Sequence, residues 1–244
     1  MRPERSRPPF RGLIIIPAHN EAANLPAVIA DLRRHRPDLE ILVVDDGSVD
    51  GTEAVLQRLK VRWLRWVERR GVGAAIRAGL RYAMRSGFTA AVRVDADGQH
   101  DARDIDRLLA PIASGAAEVV LGTRYGMTPE ARSGVTGAAQ RMLAAFITLV
   151  TRNSVTDPTC GFCALGSRAI RLLAEHHPDG YPEPELHLFL SRNAITLTEV
   201  PVQSRLRLSG KTSLTPLRLV AASARVLLAL LIVPVRPAVE SLHD

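Results

Sequence analysis

The chain has 244 residues, enough for one α/β domain with a sizeable core, and 46% of them are hydrophobic. Its formal charge is +7, and all but two of its 32 basic residues are arginine, the exceptions being Lys60 and Lys211. That balance suits an anionic membrane surface or anionic substrates. It argues against nucleic acid as a partner, because the cations are spread along the chain and no nucleic-acid-binding motif occurs.

Met1–Arg11 is basic and proline-bearing with no apolar stretch, so it reads as a surface arm rather than a secretory signal. Apolar runs then alternate with helix-like stretches. Strands are expected near Leu13–Ile16, Ile41–Val44, Val61–Trp66, Ala91–Val94 and Val119–Leu121, with a late one at Ile195–Val202. Helices are expected at Asn24–His35, Thr52–Leu59, Gly73–Ser86 and Asp101–Ala113, and a longer one at Gly134–Arg152 carries Met142, Ala145, Phe146 and Leu149 at helical spacing. The alternation predicts a mostly parallel sheet covered by helices. Leu214–Val235 is apolar but is broken by Arg218 and Arg225, and its uninterrupted run Val226–Val235 contains Pro234. A spanning helix needs about twenty apolar residues, which leaves a helix in the membrane interface or one packed on the domain.

Three strand ends carry chemistry. Leu13–Ile16 closes in Pro17-Ala18-His19-Asn20-Glu21, and Ile41–Val44 closes in Asp45-Asp46-Gly47-Ser48-Val49-Asp50-Gly51-Thr52. Ala91–Val94 closes in Asp95-Ala96-Asp97-Gly98-Gln99-His100. Ligands of open α/β sheets collect at such carboxyl ends. Two carboxylates one residue apart suit Mg²⁺ or Mn²⁺, held together with substrate phosphates. Glycines let the backbone approach a ligand, and helix N-termini favour anions. Together they outline a nucleotide site. Cys160 and Cys163 lie in Cys-Gly-Phe-Cys without a thioredoxin-like context. A zinc reading through His176 fails because the next histidine is adjacent at His177. The pair reads as two small residues of a loop.

These motifs, with Gly71-Val72-Gly73-Ala74-Ala75, resemble the family 2 glycosyltransferases of GT-A fold. Within that family the chain is most similar to the polyprenol-phosphate sugar transferases, the group of the dolichol-phosphate mannose synthases. Further points of likeness are Gly122-Thr123-Arg124-Tyr125, Asp157-Pro158-Thr159-Cys160-Gly161-Phe162, Glu199-Val200-Pro201-Val202, Arg207 and Gly210-Lys211-Thr212-Ser213. The resemblance runs from about Leu13 to Ser213. It implies an α/β GT-A nucleotide-diphospho-sugar transferase fold with a C-terminal amphipathic helix. It divides the chain into a basic arm (1–11), a catalytic domain (12–213) and a membrane-associating tail (214–244).

The reaction implied is inverting transfer of a hexose from a GDP- or UDP-linked sugar to a polyprenyl phosphate, at the cytoplasmic face of a membrane. A small membrane-protein partner or a homo-oligomer is compatible with it. By the resemblance, Asp95, Asp97 and Gln99 form the metal site for Mg²⁺ or Mn²⁺, with Asp97 the leading ligand. Pro17, Ala18, Glu21, Asp46, Gly73, Asp95, Arg207 and Lys211 bind the nucleotide sugar, while Asp45 braces its loop. Arg124 and Arg141 bind the acceptor, with Arg132 and Arg205 close enough in sequence to exchange roles with the other cations. Asp97, Arg124, Asp157 and Glu185 are the candidate catalytic groups. Asp157 is open between a general base and a turn cap, and Glu183 and Glu185 sit in a prolyl turn. A hydroxyl acceptor needs a base, whereas a polyprenyl phosphate is already anionic and needs cations and positioning. Three departures from the family pattern thin the basic acceptor pocket: Cys163 stands where arginine is frequent, Thr136-Gly137 where paired arginines are, and Thr212-Ser213-Leu214 where Ser-Lys-Leu is. The alternatives left standing are transfer to a glycan or lipid-linked saccharide hydroxyl, and a nucleotide-sugar-binding subunit that needs a membrane partner.

Overall fold

The computed structural model describes residues 10–125, 134–151, 153–177 and 182–208. The basic arm, Arg132, Lys211 and the segment expected to form the C-terminal amphipathic helix lie outside the described residues. Seven strands form one sheet: β1 (Gly12–Ala18), β2 (Glu40–Asp45), β3 (Arg62–Arg65), β4 (Ala90–Arg93), β5 (Val119–Thr123), β6 (Cys163–Gly166) and β7 (Leu197–Pro201). Their order is β3-β2-β1-β4-β6-β5-β7. All neighbours pair in parallel except β6, which runs antiparallel to both β4 and β5.

The strands alternate in the manner their sequence dictates. Ile14, Ile16 and Val43 enter one buried face, while Leu13, Ile15, Leu42 and Val44 enter the other. A strand covered on both sides is apolar throughout, which is why Leu13–Ile16 and Ile41–Val44 read as continuous runs. Full burial of one such side chain is worth about 1.5–3 kcal/mol.

The first face is covered by α1 (Leu25–His35), α2 (Thr52–Leu59) and α4 (Ile105–Ser114), and the second by α3 (Val72–Arg85), α6 (Ser167–His176) and α7 (Pro182–Arg192). Helix α5 (Gly134–Thr151) packs along α7. Gly79 lets α3 lie directly on β1, since a Cβ there would fall 2.5 Å from the Ile15 Cγ2 atom.

The parallel strands and the four helices of the first half stand where periodicity placed them, as does α5. Two readings need correction. Cys163 is not in a loop but opens β6, paired with Arg93 on one side and Leu121 on the other. Glu183 and Glu185 are not in a prolyl turn but in the first turn of α7. Proline is tolerated there because the N–H groups of a first helical turn have no intrahelical partner to lose.

The topology fixes the position of the site. The carboxyl ends of β1, β2, β4 and β5 open onto one edge. Because β6 is reversed, the segment leading into it, 157–162, arrives at that same edge.

Candidate active site

The loops after β1 and β2 are laced together. The backbone N–H of Asn20 donates to Ser48 Oγ at 2.9 Å, that of Val49 to Asn20 Oδ1 at 2.9 Å, and that of Glu21 to Thr52 Oγ1 at 3.1 Å. Ala22 N–H donates to Asp50 Oδ2, and His19 Nδ1–H to the Asp46 carbonyl. Pro17 and Ala18 end β1 opposite Val44 and Asp45.

The two acids after β2 divide their work. Asp45 is fully buried and accepts the Ser48 N–H. Its second oxygen has no hydrogen-bond partner and faces Arg65 Nε at 3.5 Å. Asp46 takes the backbone N–H groups of Arg70 and Gly71 at 2.6 and 2.8 Å. Both acids therefore brace backbone; Asp46 holds the entry to α3, where Gly71 adopts φ 98° and Gly73 is buried two residues on.

The loop after β4 carries the paired acids. Asp97 is buried, accepts the Gln99 N–H through Oδ1, and pairs through Oδ2 with Arg207 Nη2 at 2.8 Å. The same Nη2 lies 3.4 Å from Gln99 Oε1. Asp95 turns elsewhere: its Oδ1 accepts Arg93 Nε at 3.1 Å. The Asp95 N–H donates to His100 Nδ1, and the His100 ring stacks on Phe162 with centroids 4.5 Å apart. Burial alone would raise the Asp95 carboxyl, but the charges of Arg93, His100 and Arg207 outweigh it and hold it below the ordinary range. Burial lowers His100, with Asp95 and Asp97 opposing in part. Glu21 is raised, first by burial and then by the charge of Asp97, with the Asn24 hydrogen bond opposing.

The chain beyond β7 folds back over this loop. Arg205 N–H donates to the Gln99 carbonyl and Leu208 N–H to that of Asp97, at 2.9 and 3.1 Å. Arg205 also reaches Asp31 at 2.8 Å and Asp101 at 2.6 Å. Of the two cations that proximity in sequence could not rank, Arg207 faces the carboxylate and Arg205 anchors the segment.

After β5, Arg124 and Asp157 form a bidentate pair at 2.7 and 2.8 Å, and Asp157 Oδ2 also accepts the Arg124 backbone N–H. Arg124 further donates to Thr159 Oγ1, which takes a second bond from Gln140. Glu199 accepts the Thr156 N–H and hydroxyl, fixing the 153–157 loop. Burial works to raise Asp157, but the hydrogen bonds and charge of Arg124 prevail and hold it low. Arg124 is correspondingly raised despite its burial. Arg141 lies exposed on α5, and Glu185 belongs to α7 with its side chain outside the described residues. Arg93, His100 and Phe162 were missed as site residues. Arg93 in a buried strand was the one available signal, since a buried cation demands a partner.

The donor oxygens fit a hard divalent cation. One cationic nitrogen already touches both Asp97 and Gln99, so the positive charge has a defined position. Among the described residues no three His, Cys, Asp or Glu side chains stand close enough to hold an ion unaided. A metal here would draw remaining ligands from substrate phosphate and water.

A mostly parallel sheet with one reversed strand, presenting a D-x-D loop and laced β1 and β2 loops at one edge, defines a glycosyltransferase of GT-A architecture. Residues 13–172 match the family model of Glycosyl transferase family 2, and the chain belongs to that family. It is 39% identical over 129 residues to a polyprenol monophosphomannose synthase of Mycolicibacterium smegmatis, an alignment covering 50% of this chain and 48% of that protein. It is 31% identical over 212 residues to a UDP-N-acetylglucosamine–dolichyl-phosphate N-acetylglucosaminyltransferase of Methanococcus voltae, covering 78% and 84%. Among solved structures, glucosyl-3-phosphoglycerate synthase of Mycobacterium tuberculosis, in complex with Mn²⁺, UDP and glucosyl-3-phosphoglycerate, superposes with a TM-score of 0.69 at 20% identity over 92% of this chain and 80% of that one.

Proposed function

We propose that the protein moves a hexose, with inversion, from a GDP- or UDP-linked donor to a polyprenyl phosphate, using Mg²⁺ or Mn²⁺, while lying peripherally on the cytoplasmic face of a membrane. One observation carries the acceptor class: Asp157, the acid beside Arg124, has both oxygens committed to that guanidinium. A carboxylate held this way is a poor proton acceptor and a good orienter of a cation. A phosphate acceptor needs the cation and no base. The names of the M. smegmatis and M. voltae relatives, one a polyprenol-linked product and the other a dolichyl-phosphate acceptor, support the same reading.

In this reading Pro17, Ala18, Glu21, Asp46, Gly73, Asp95, Arg207 and Lys211 line the donor site, Asp46 by shaping it. Asp97 and Gln99, with Asp95 behind them, hold the metal. When bound, the metal neutralises charge that builds on the diphosphate as the glycosidic bond breaks. Arg124, oriented by Asp157 and supported by Arg141, fixes the acceptor phosphate. Its oxygen attacks the sugar C1 on the face opposite the diphosphate, and the electron pair of the breaking C1–O bond leaves with the nucleotide. No proton has to be removed. The catalytic domain is residues 12–213, with residues 1–11 as its arm. No helix among the described residues is long and apolar enough to cross a membrane, so attachment is assigned to residues 214–244.

A donor panel of GDP- and UDP-hexoses, offered to polyprenyl phosphate with and without Mn²⁺ and read by mass, tests this. Hexosyl-phosphoryl lipid formed only with metal is the expected product. Transfer to a saccharide hydroxyl with polyprenyl phosphate untouched refutes the acceptor.

A further inference from the structure

The segment 203–208 is a strap with unequal fastenings. Gln203 N–H is tied to Asp104 Oδ2 at 2.7 Å. Arg205 is held by Asp31, by the almost fully buried Asp101, and by its own N–H on Gln99. Arg207, two residues on, has its side chain about one quarter exposed and, among the described residues, reaches side-chain oxygens of the paired-acid loop, Asp97 Oδ2 and Gln99 Oε1. These are two of the three oxygen-bearing side chains assigned to the metal. Leu208 then closes on Gly98, whose φ of 79° and missing Cβ leave room for it: a Cβ there would fall 2.6 Å from the leucine side chain.

A guanidinium and a divalent cation on one carboxylate repel each other, and a further anion relieves that repulsion. We infer that, in the enzyme without nucleotide, Arg207 and the divalent cation compete for Asp97 and Gln99, and that the donor diphosphate relieves the competition by giving Arg207 a second anion to face. This rests on the metal site proposed above. Arg205 acts as the positioning residue: it keeps the strap registered on the loop while the Arg207 head moves a few ångströms from carboxylate to phosphate. Two consequences follow. Metal alone binds weakly, and metal with nucleoside diphosphate binds tightly, so the two enter as one charge-balanced unit. A cation placed beside another disfavours it by about tenfold or more at such separations.

The experiment is Mn²⁺ titration of the full chain by electron paramagnetic resonance, alone and with GDP or UDP, in wild type, Arg207→Gln, Arg207→Lys, Arg205→Ala and Asp97→Asn. Arg207→Gln is expected to bind Mn²⁺ alone about tenfold more tightly than wild type, and to show a correspondingly smaller affinity gain from the nucleotide, the part that remains being direct ligation by phosphate. Arg207→Lys keeps the charge and should restore weak binding, which separates charge from any effect on folding. Arg205→Ala should shift Mn²⁺ binding in the direction of Arg207→Gln by a smaller factor. An Arg207→Gln variant that binds Mn²⁺ no tighter than wild type overturns the competition and leaves the metal site standing. Mn²⁺ binding that is absent throughout, or indifferent to Asp97→Asn, overturns both.

Discussion

Asp157→Asn separates the two roles the sequence left open for this residue. The Asp157 side chain is 0% exposed and meets three N–H groups of Arg124. The amide keeps the shape but loses the charge, and turns one of its two oxygens into an N–H₂ donor facing other donors. Removing one partner of a buried pair costs about 3–5 kcal/mol. Arg124 retains 28% exposure of its side chain, so water recovers a part, and about 2–4 kcal/mol is expected. In a chain of this size each kcal/mol moves Tm by roughly 2–4 °C, which puts the loss at about 5–15 °C. The sign of the pH dependence follows from the lowered carboxyl. Its contribution is complete above the unfolded value near 3.9 and is lost only as pH falls through the lower folded value. The stability gap between wild type and variant should therefore be constant from pH 5 to 8. Thermal melts, with steady-state rates against acceptor concentration, measure both effects. The orienting role predicts a lower Tm together with a raised acceptor KM. A variant within about 1 °C of wild type whose turnover falls about 10²–10⁴-fold would make Asp157 a general base, and with it the acceptor a hydroxyl.

Asp97→Asn should abolish most turnover and Mn²⁺ binding, with a smaller fall in Tm than Asp157→Asn because Asp97 holds its arginine through one contact rather than two; full activity in excess chelator would sink the metal assignment. Gly161→Ala places a Cβ 2.6 Å from Arg93 Nη2 and 2.9 Å from Asp95 Oδ2, so it should prise the Arg93–Asp95 pair apart and depress kcat at least about tenfold. Wild-type kinetics in that variant would show that the pair is not needed. Burial pushes His187 down to about 4, so it folds neutral. Its unfolded form, near 6.5, takes up a proton first as pH falls, and stability should drop by about 2 kcal/mol between pH 7 and pH 5. Urea denaturation at both pH values checks this, and a His187→Asn chain with an unchanged slope would refute it. Removing residues 214–244 should reduce sedimentation with anionic liposomes, with salt weakening the full chain's binding only in part because apolar burial is not screened; a full chain that stays in the supernatant contradicts the membrane placement.

Most of the parallel half of the fold was legible because its strands are buried on both faces and its helices carry a clean apolar stripe. The region after residue 160 was not. Strand β6 is Cys-Ala-Leu-Gly, four small or medium residues with no alternation to read, and its partners are set by strands some 40 and 70 residues earlier. Helix α7 begins Pro-Glu-Pro-Glu, a pattern that punctuates turns and first helical turns alike. Helix α6 did carry a signal, Ala169, Ile170, Leu173 and Ala174 at helical spacing. In the site, the paired acids and the laced loops announced themselves by residue type. The Arg207 contact did not, because Gln99 and Arg207 are 108 residues apart and only the return of the chain past β7 joins them. The division of labour between Asp45 and Asp46 depends on which backbone each faces, and two adjacent aspartates look alike on the page.

The reversed strand has a consequence for the order in which the molecule can form. Strands β1 to β4 complete a parallel unit, in the order β3-β2-β1-β4, within the first 93 residues. Strand β5 follows at Val119–Thr123 but has no edge to join, since β6 separates it from β4. It must wait for Cys163–Gly166 to be made and slotted against β4. A chain emerging from the ribosome, at about 5–20 residues per second, therefore exposes an unpaired apolar strand for some seconds after the donor half has set. During that interval β5 and the open side of β4 are the places where a chaperone, or a second nascent chain, would find a hold.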